Sequence, residues 1–133
     1  MKNWKPFYIE NSRIPVFLSK FAPIKIWAIS FGLWVWCRGE LSEKTKRHEC
    51  IHFQQQLELA FAGQWILYIF SFIFNYLKTR DATLSYYDNV FEREAYGNEA
   101  DKDYLSRRKR YAWIKYINKE YDFKERVKRS RLK

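Results

Sequence analysis

Cysteine is scarce, with two copies in 133 residues. That is too few for a disulfide framework and sets aside the small secreted domains held by several bridges. Four glycines and three prolines exclude collagen-like and low-complexity chains. Histidine is equally rare, with two copies. Residues 1–23 contain no continuous apolar run of signal-peptide length, because Glu10 and Arg13 interrupt it, so no secretory signal is expected. Acidic residues are far outnumbered at the C-terminal end. Residues 107–133 carry twelve Lys or Arg against three acids, which places +9 of the formal net charge of +10 there.

What is present is apolar and aromatic. Hydrophobic residues make up 47% of the chain and aromatics 20%, which rules out a generic disordered chain. A chain of 133 residues suits one domain that buries roughly two-thirds of its unfolded surface. The charge distribution divides it into a nearly neutral body, residues 1–106, and a basic, aromatic-containing helix or tail, residues 107–133. In that tail Arg107, Arg108, Lys109 and Arg110 precede Tyr111, Trp113 and Tyr116, a pattern suited to phosphate contact with stacking, on nucleic acid or at an anionic membrane. Residues 59–77 are uncharged and approach the ~20 residues of a membrane span, although Gln64, Ser71 and Asn75 dilute them. A buried helix, a helix docked at a membrane interface and a true span are the three readings of this stretch.

The pattern predicts an α+β, mostly α-helical fold: an N-terminal β-hairpin followed by three to four helices. Ile24–Ser30 and Leu33–Cys37 read as the strands, rich in Ile, Val and Trp, with Phe31-Gly32 as the turn. Ser42 is the expected cap of a helix running to about Ala62, where Gly63 ends or kinks it. A second helix is expected over 64–78, a polar connection over 79–86, a third helix over 89–106 and further helix near 108–119.

Both histidines fall in one pentapeptide, His48-Glu49-Cys50-Ile51-His52, which is HExxH. On a helix, positions i and i+4 share a face, so both imidazoles can reach one metal ion. Zn²⁺ accepts His nitrogen in tetrahedral sites that leave a place for water and lowers the pKa of that water, so that Glu49 can serve as general base. A third ligand has to be a carboxylate or a thiol. Cys50 points off the histidine face, and Cys37 precedes the motif at the end of a strand. The segment Phe91–Tyr96 offers Glu92 and Glu94, which lie about 200° apart around a helix and cannot both face the ion. Tyr86, Tyr87 and Tyr96 are candidate oxyanion donors or supports of the site. Gln55 and Gln56 either line the cleft or tie down loops.

Arg47 through Gln56, the apolar helix at 64–77 and Phe91 to Tyr96 together resemble the gluzincin branch of zinc metallopeptidases. The pattern is similar to small bacterial and phage zincin domains and, more distantly, to CAAX-protease-type and HtpX-type peptidases. The resemblance covers about residues 24–117. It implies a zincin-like fold, a zinc ion and hydrolysis of a peptide bond in a peptide or protein substrate. It also makes Glu92, the first Glu of Glu92-x-x-Ala95, the third ligand, with Glu94 as the alternative. Four residues after the ligand such proteins carry an Asp that orients a metal-bound His. Tyr96 stands there in this chain, with Asp88, Asn98 and Glu99 as nearby substitutes. The competing expectation is an inactive metal-binding assembly protein whose tail binds nucleic acid or membrane. The expected location is the cytoplasm, with peripheral or integral membrane attachment as a variant, or a virion for a phage protein.

Overall fold

In Trp34–Cys37 large apolar residues alternate in burial, Val35 and Cys37 inward and Trp34 outward, as a strand with one covered face requires. This strand is the middle of a three-stranded sheet. The computed structural model describes residues 5–21, 28–31 and 33–117. Strand β1 (Phe7–Ile9) and helix α1 (Ile14–Ser19) come first. Strands β2 (Ala28–Phe31) and β3 (Trp34–Cys37) follow as an antiparallel hairpin, with Ala28 opposite Cys37 and Phe31 opposite Trp34. Strand β1 adds to the other side of β3 in parallel, Tyr8 opposite Val35. The fold is α+β and mostly helical, as the sequence pattern predicts. Phe31 belongs to the strand rather than the turn, and the expected strand residues 24–27 and Gly32 lie outside the described residues. Neither β1 nor α1 was expected from the sequence.

After the hairpin come α2 (Glu43–Glu58), α3 (Ala62–Thr79), α4 (Ala82–Tyr87), α5 (Val90–Asn98) and α6 (Tyr104–Arg107), then a 3-10 turn over Ala112–Tyr116. Among the described residues five α-helices follow the hairpin, where three to four were expected. Helix α2 begins as expected, the Ser42 hydroxyl accepting from Thr45 N at 3.2 Å. It ends before Gly63. Ala60 and Phe61 take left-handed φ of 53° and 61°, Phe61 N bonds back to Gln56 O at 2.6 Å, and the chain turns by 111° into α3. The expected connection at 79–86 is largely helix α4, because Asp81 caps it by accepting from Leu84 N. The expected long helix at 89–106 is broken after Asn98. There the Asp101 carboxylate accepts from Asp103 N at 3.0 Å, a local bond that competes with the helix.

Helix α3 is turned inside out relative to an ordinary surface helix. Gln64 and Asn75 are buried, and its polar stripe bonds inward. Asn75 Nδ2 donates to Ser85 O, Ser71 Oγ accepts from Val90 N, and Asn89 Nδ2 donates to Tyr68 O. Its aliphatic and phenyl side chains face out, with Phe70 66% and Phe74 68% exposed. No single helix among the described residues is long and apolar enough to cross a membrane.

The core lies between α2, α5 and α6, where Ile51, Ala95 and Tyr104 pack together with Phe53 and Phe91 buried beside them. The segment after 107 does not leave this body at once. Arg108 is buried, its guanidinium bonded to Glu58 at 3.0 Å through both Nη atoms and to Glu94 through Nε and Nη2. Tyr116 receives Arg93 Nη1 on its carbonyl, and Trp113 packs 5.0 Å from Phe91. Helical packing therefore continues to about residue 117, beyond the expected boundary at 106. The rest of the expected tail, 118–133, lies outside the described residues.

Removing the Arg108 head leaves two buried carboxylates facing each other without a cation. Arg108→Ala should lower the unfolding free energy by about 3–5 kcal/mol, read from the urea midpoint. Arg107, which pairs with Asp101 at the surface, is the control, and Arg107→Ala should leave the midpoint nearly where it was.

Candidate metal centre

Helix α2 carries His48 and His52 four residues apart, and both are buried. Glu92 sits in the first turn of α5, where the helix dipole favours a negative charge, and α5 packs on α2. The three side chains converge. Glu92 Oε1 lies 3.0 Å from His48 Nε2 and 2.9 Å from His52 Nε2, and the two Nε2 atoms are 3.1 Å apart. One ligand atom from each therefore lies within 4.8 Å of the others, close enough to hold one ion.

The far side of each imidazole is already bonded. His48 Nδ1 lies 2.9 Å from Glu99 Oε2, a carboxylate acceptor also drawn to Lys44. His52 Nδ1 lies 2.9 Å from Gln55 Oε1. The Gln55 amide nitrogen donates to Phe91 O and to Glu94 Oε1, so its oxygen is the atom left to accept. With Nδ1 of each ring facing an acceptor, the two Nε2 atoms are turned toward each other and toward Glu92. These three atoms are close enough to share one metal ion or a proton. Burial opposes a charged His48, yet hydrogen bonds to Glu92 and Glu99 raise its pKa to about 10. Burial would likewise raise Glu92, but His52 and His48 hold it well below the usual carboxylate range. Protons and a metal ion would compete for the same Nε2 positions.

The donor set fits Zn²⁺: two imidazole nitrogens and one carboxylate oxygen, three ligands rather than a closed four. Glu49 is buried one residue on from His48. Burial pushes its carboxyl up, His48 and His52 pull it down, and no hydrogen bond ties it to these neighbours. It is therefore uncommitted within the cluster.

Tyr96 lies edge-on to the His48 ring, with centroids 4.4 Å apart, and its hydroxyl is 3.0 Å from that of Tyr86. Tyr87 packs against both. Burial, and then the Glu92 charge, lift Tyr86 and Tyr96 well above the ordinary phenol value, so both stay neutral donors. Other candidates are placed elsewhere. Asp88 accepts twice from Arg93, at 3.0 and 2.7 Å, and does not reach the histidines. Glu94 turns away from the cluster, to Tyr104, Arg108 and Gln55, which leaves it unsuited as the alternative ligand. Cys50 Sγ is 2.7 Å from Tyr8 OH, and Cys37 bonds backbone carbonyls of Ile9 and Gly39. Gln56 bonds Ser30 O and Oγ and so ties β2 to α2. Of the basic quartet, Arg107 and Arg108 are paired as described, while Lys109 and Arg110 are exposed.

The sequence reading missed Tyr68 on α3. Its hydroxyl donates to Glu92 Oε2 at 2.7 Å, which turns Oε1 toward the histidines. The available signal was the polar spacing Gln64, Tyr68, Ser71, Asn75, one face of a helix that is otherwise apolar. Tyr68→Phe keeps the ring and removes that bond. Zinc affinity, measured by competition with a chromophoric chelator, should fall by roughly 10–100-fold, and unchanged affinity would deny Tyr68 this role.

Against family models, curated proteins and solved structures, the chain matches nothing. Function is therefore read from the site itself.

Proposed function

We propose that this chain is a small zinc-dependent metallopeptidase resembling the gluzincins, with His48, His52 and Glu92 as the metal ligands and Glu49 as general base. The observation that carries the reading is the convergence of His48 Nε2, His52 Nε2 and Glu92 Oε1 while each Nδ1 is held by a separate acceptor.

Zinc, when bound, supplies Lewis acidity toward a carbonyl and an acidified water. The chain's own residues do the rest. Glu99 and Gln55 fix the imidazoles as the tautomers that offer Nε2. Tyr68 orients the Glu92 carboxylate. Glu49 accepts the proton of the attacking water and returns it to the leaving amine. Tyr86 and Tyr96, kept neutral by burial, are the candidate donors to a developing oxyanion. Where the resembled proteins place an Asp, this chain has Tyr96, but the carboxylate of Glu99 performs the corresponding hydrogen bond to His48.

The test is metal analysis of protein purified without added metal, beside Glu49→Gln. About one zinc per chain, with hydrolysis of unstructured peptides that the variant loses, supports the reading. Native protein without stoichiometric metal would overturn it.

A further inference from the structure

The proposed metal chemistry does not use the outer face of α3. Ile66, Ile69, Phe70, Ile73, Phe74 and Leu77 are all exposed there. At ~100° per residue they cover an arc of about 140°. The sole charged residue of the helix, Lys78, lies outside that arc. The opposite face is occupied: Gln64 and Asn75 are buried, and Tyr68, Ser71, Asn75 and Thr79 bond to Glu92, Val90, Ser85 and Asp81. Side-chain hydrogen bonds and the stacking of Tyr68 on Phe91 hold the inner face of α3 and turn its apolar half outward. An uninterrupted apolar strip along a helix roughly 27 Å long exceeds the scattered apolar residues of an ordinary surface.

We propose that this face docks α3 in the plane of an anionic lipid bilayer, as a monotopic attachment. The polar stripe behind it is bonded to α4 and α5, so the helix cannot sink into lipid without carrying charged elements with it. Among the described residues no single helix is long and apolar enough to cross on its own. Charge selects the partner. Lys78 and Arg80 are exposed at the C-terminal end of the strip, and the chain's net charge is +10, of which +9 lies in residues 107–133. Two copies of such a chain repel, whereas phosphatidylserine headgroups attract it. In this position Tyr68, on the inner side of the docked helix, would couple it to the Glu92 ligand. The docking itself stands whether or not the metal reading does.

The experiment is flotation of the full chain with vesicles of phosphatidylcholine alone and of phosphatidylcholine mixed with phosphatidylserine, at low and high salt. Wild type should float with the mixed vesicles and keep part of that binding at high salt. Phe70→Ser with Phe74→Ser, both at exposed positions, should lower the partition coefficient about 100-fold, roughly ten-fold per residue, with an unchanged melting curve. Lys78→Gln with Arg80→Gln should lower binding to the mixed vesicles alone, by about five-fold per charge. The proposal is overturned by wild type that ignores both vesicles. It is overturned equally by a phenylalanine variant that floats as well as wild type, which would assign binding to the basic tail. A wild-type dimer that this variant converts to monomer, without flotation of either, would assign the face to a second copy.

Discussion

Glu92→Gln should leave the protein without stoichiometric zinc. The substitution keeps the size of the side chain and its place in the first turn of α5, but removes the single negative charge between His48 and His52. Two neutral imidazoles and an amide are a poor set for a divalent ion, so the loss of affinity should exceed the 10–100-fold that a supporting residue is worth. Two measurements check it. Metal content after purification should fall from about one equivalent to a small fraction of it. A chelator should lower the melting temperature of wild type and leave the variant where it is, because only a state that binds the ion is stabilised by it: about 2.7 kcal/mol at a free ion concentration 100 times Kd. A variant that retains a full equivalent would remove Glu92 from the ligand set.

Glu49→Gln should do the reverse, keeping the metal and losing the chemistry. Glu49 makes no hydrogen bond to the three ligands, so its replacement leaves their geometry alone. An amide cannot take a proton from water, and general-base catalysis of this kind contributes about 10²–10⁴-fold. The expected result is a fall of that size in kcat with KM little changed and zinc content equal to wild type. Equal activity in the variant would end the general-base role. A zinc-loaded wild type with no hydrolysis of any peptide would leave a metal-holding assembly protein as the better description.

The bonds around the cluster connect these predictions to stability. His52 leans on Gln55, Gln55 on Glu94, and Glu94 on Arg108, which also holds Glu58 at the end of α2. Arg108, which composition alone counts as one of twelve tail cations, is thus a buried tie between α2 and α5. Its charge was legible in the sequence. Its partners were not, because Glu58 is 50 residues away and Glu94 is 14 away, separations no local rule reaches. The same limit applies to α4 and α6. Each is a short helix set by a single capping or turn-forming aspartate, and the sequence pattern folded the first into a connection and the second into a longer helix.

The sequence by itself determined whatever depends on neighbours within one or two turns. Ser42 starts α2, helical spacing puts His48 and His52 on one face, and β-favouring residues form the hairpin with its alternating burial. Those outcomes follow from backbone periodicity and capping, which act locally. The tertiary structure decided what each face meets. Glu92 and Glu94 are equally good carboxylates two residues apart. The rotation of α5, set by burying Phe91 and Ala95, points the first at the histidines and the second at Arg108. Helix α3 shows the same division. Its apolar half and polar stripe are plain in the sequence, but hydrophobicity alone would bury the wrong side. The stripe turns inward because Val90 N and Ser85 O need partners, which Ser71 and Asn75 supply, while the Tyr68 hydroxyl reaches the Glu92 carboxylate.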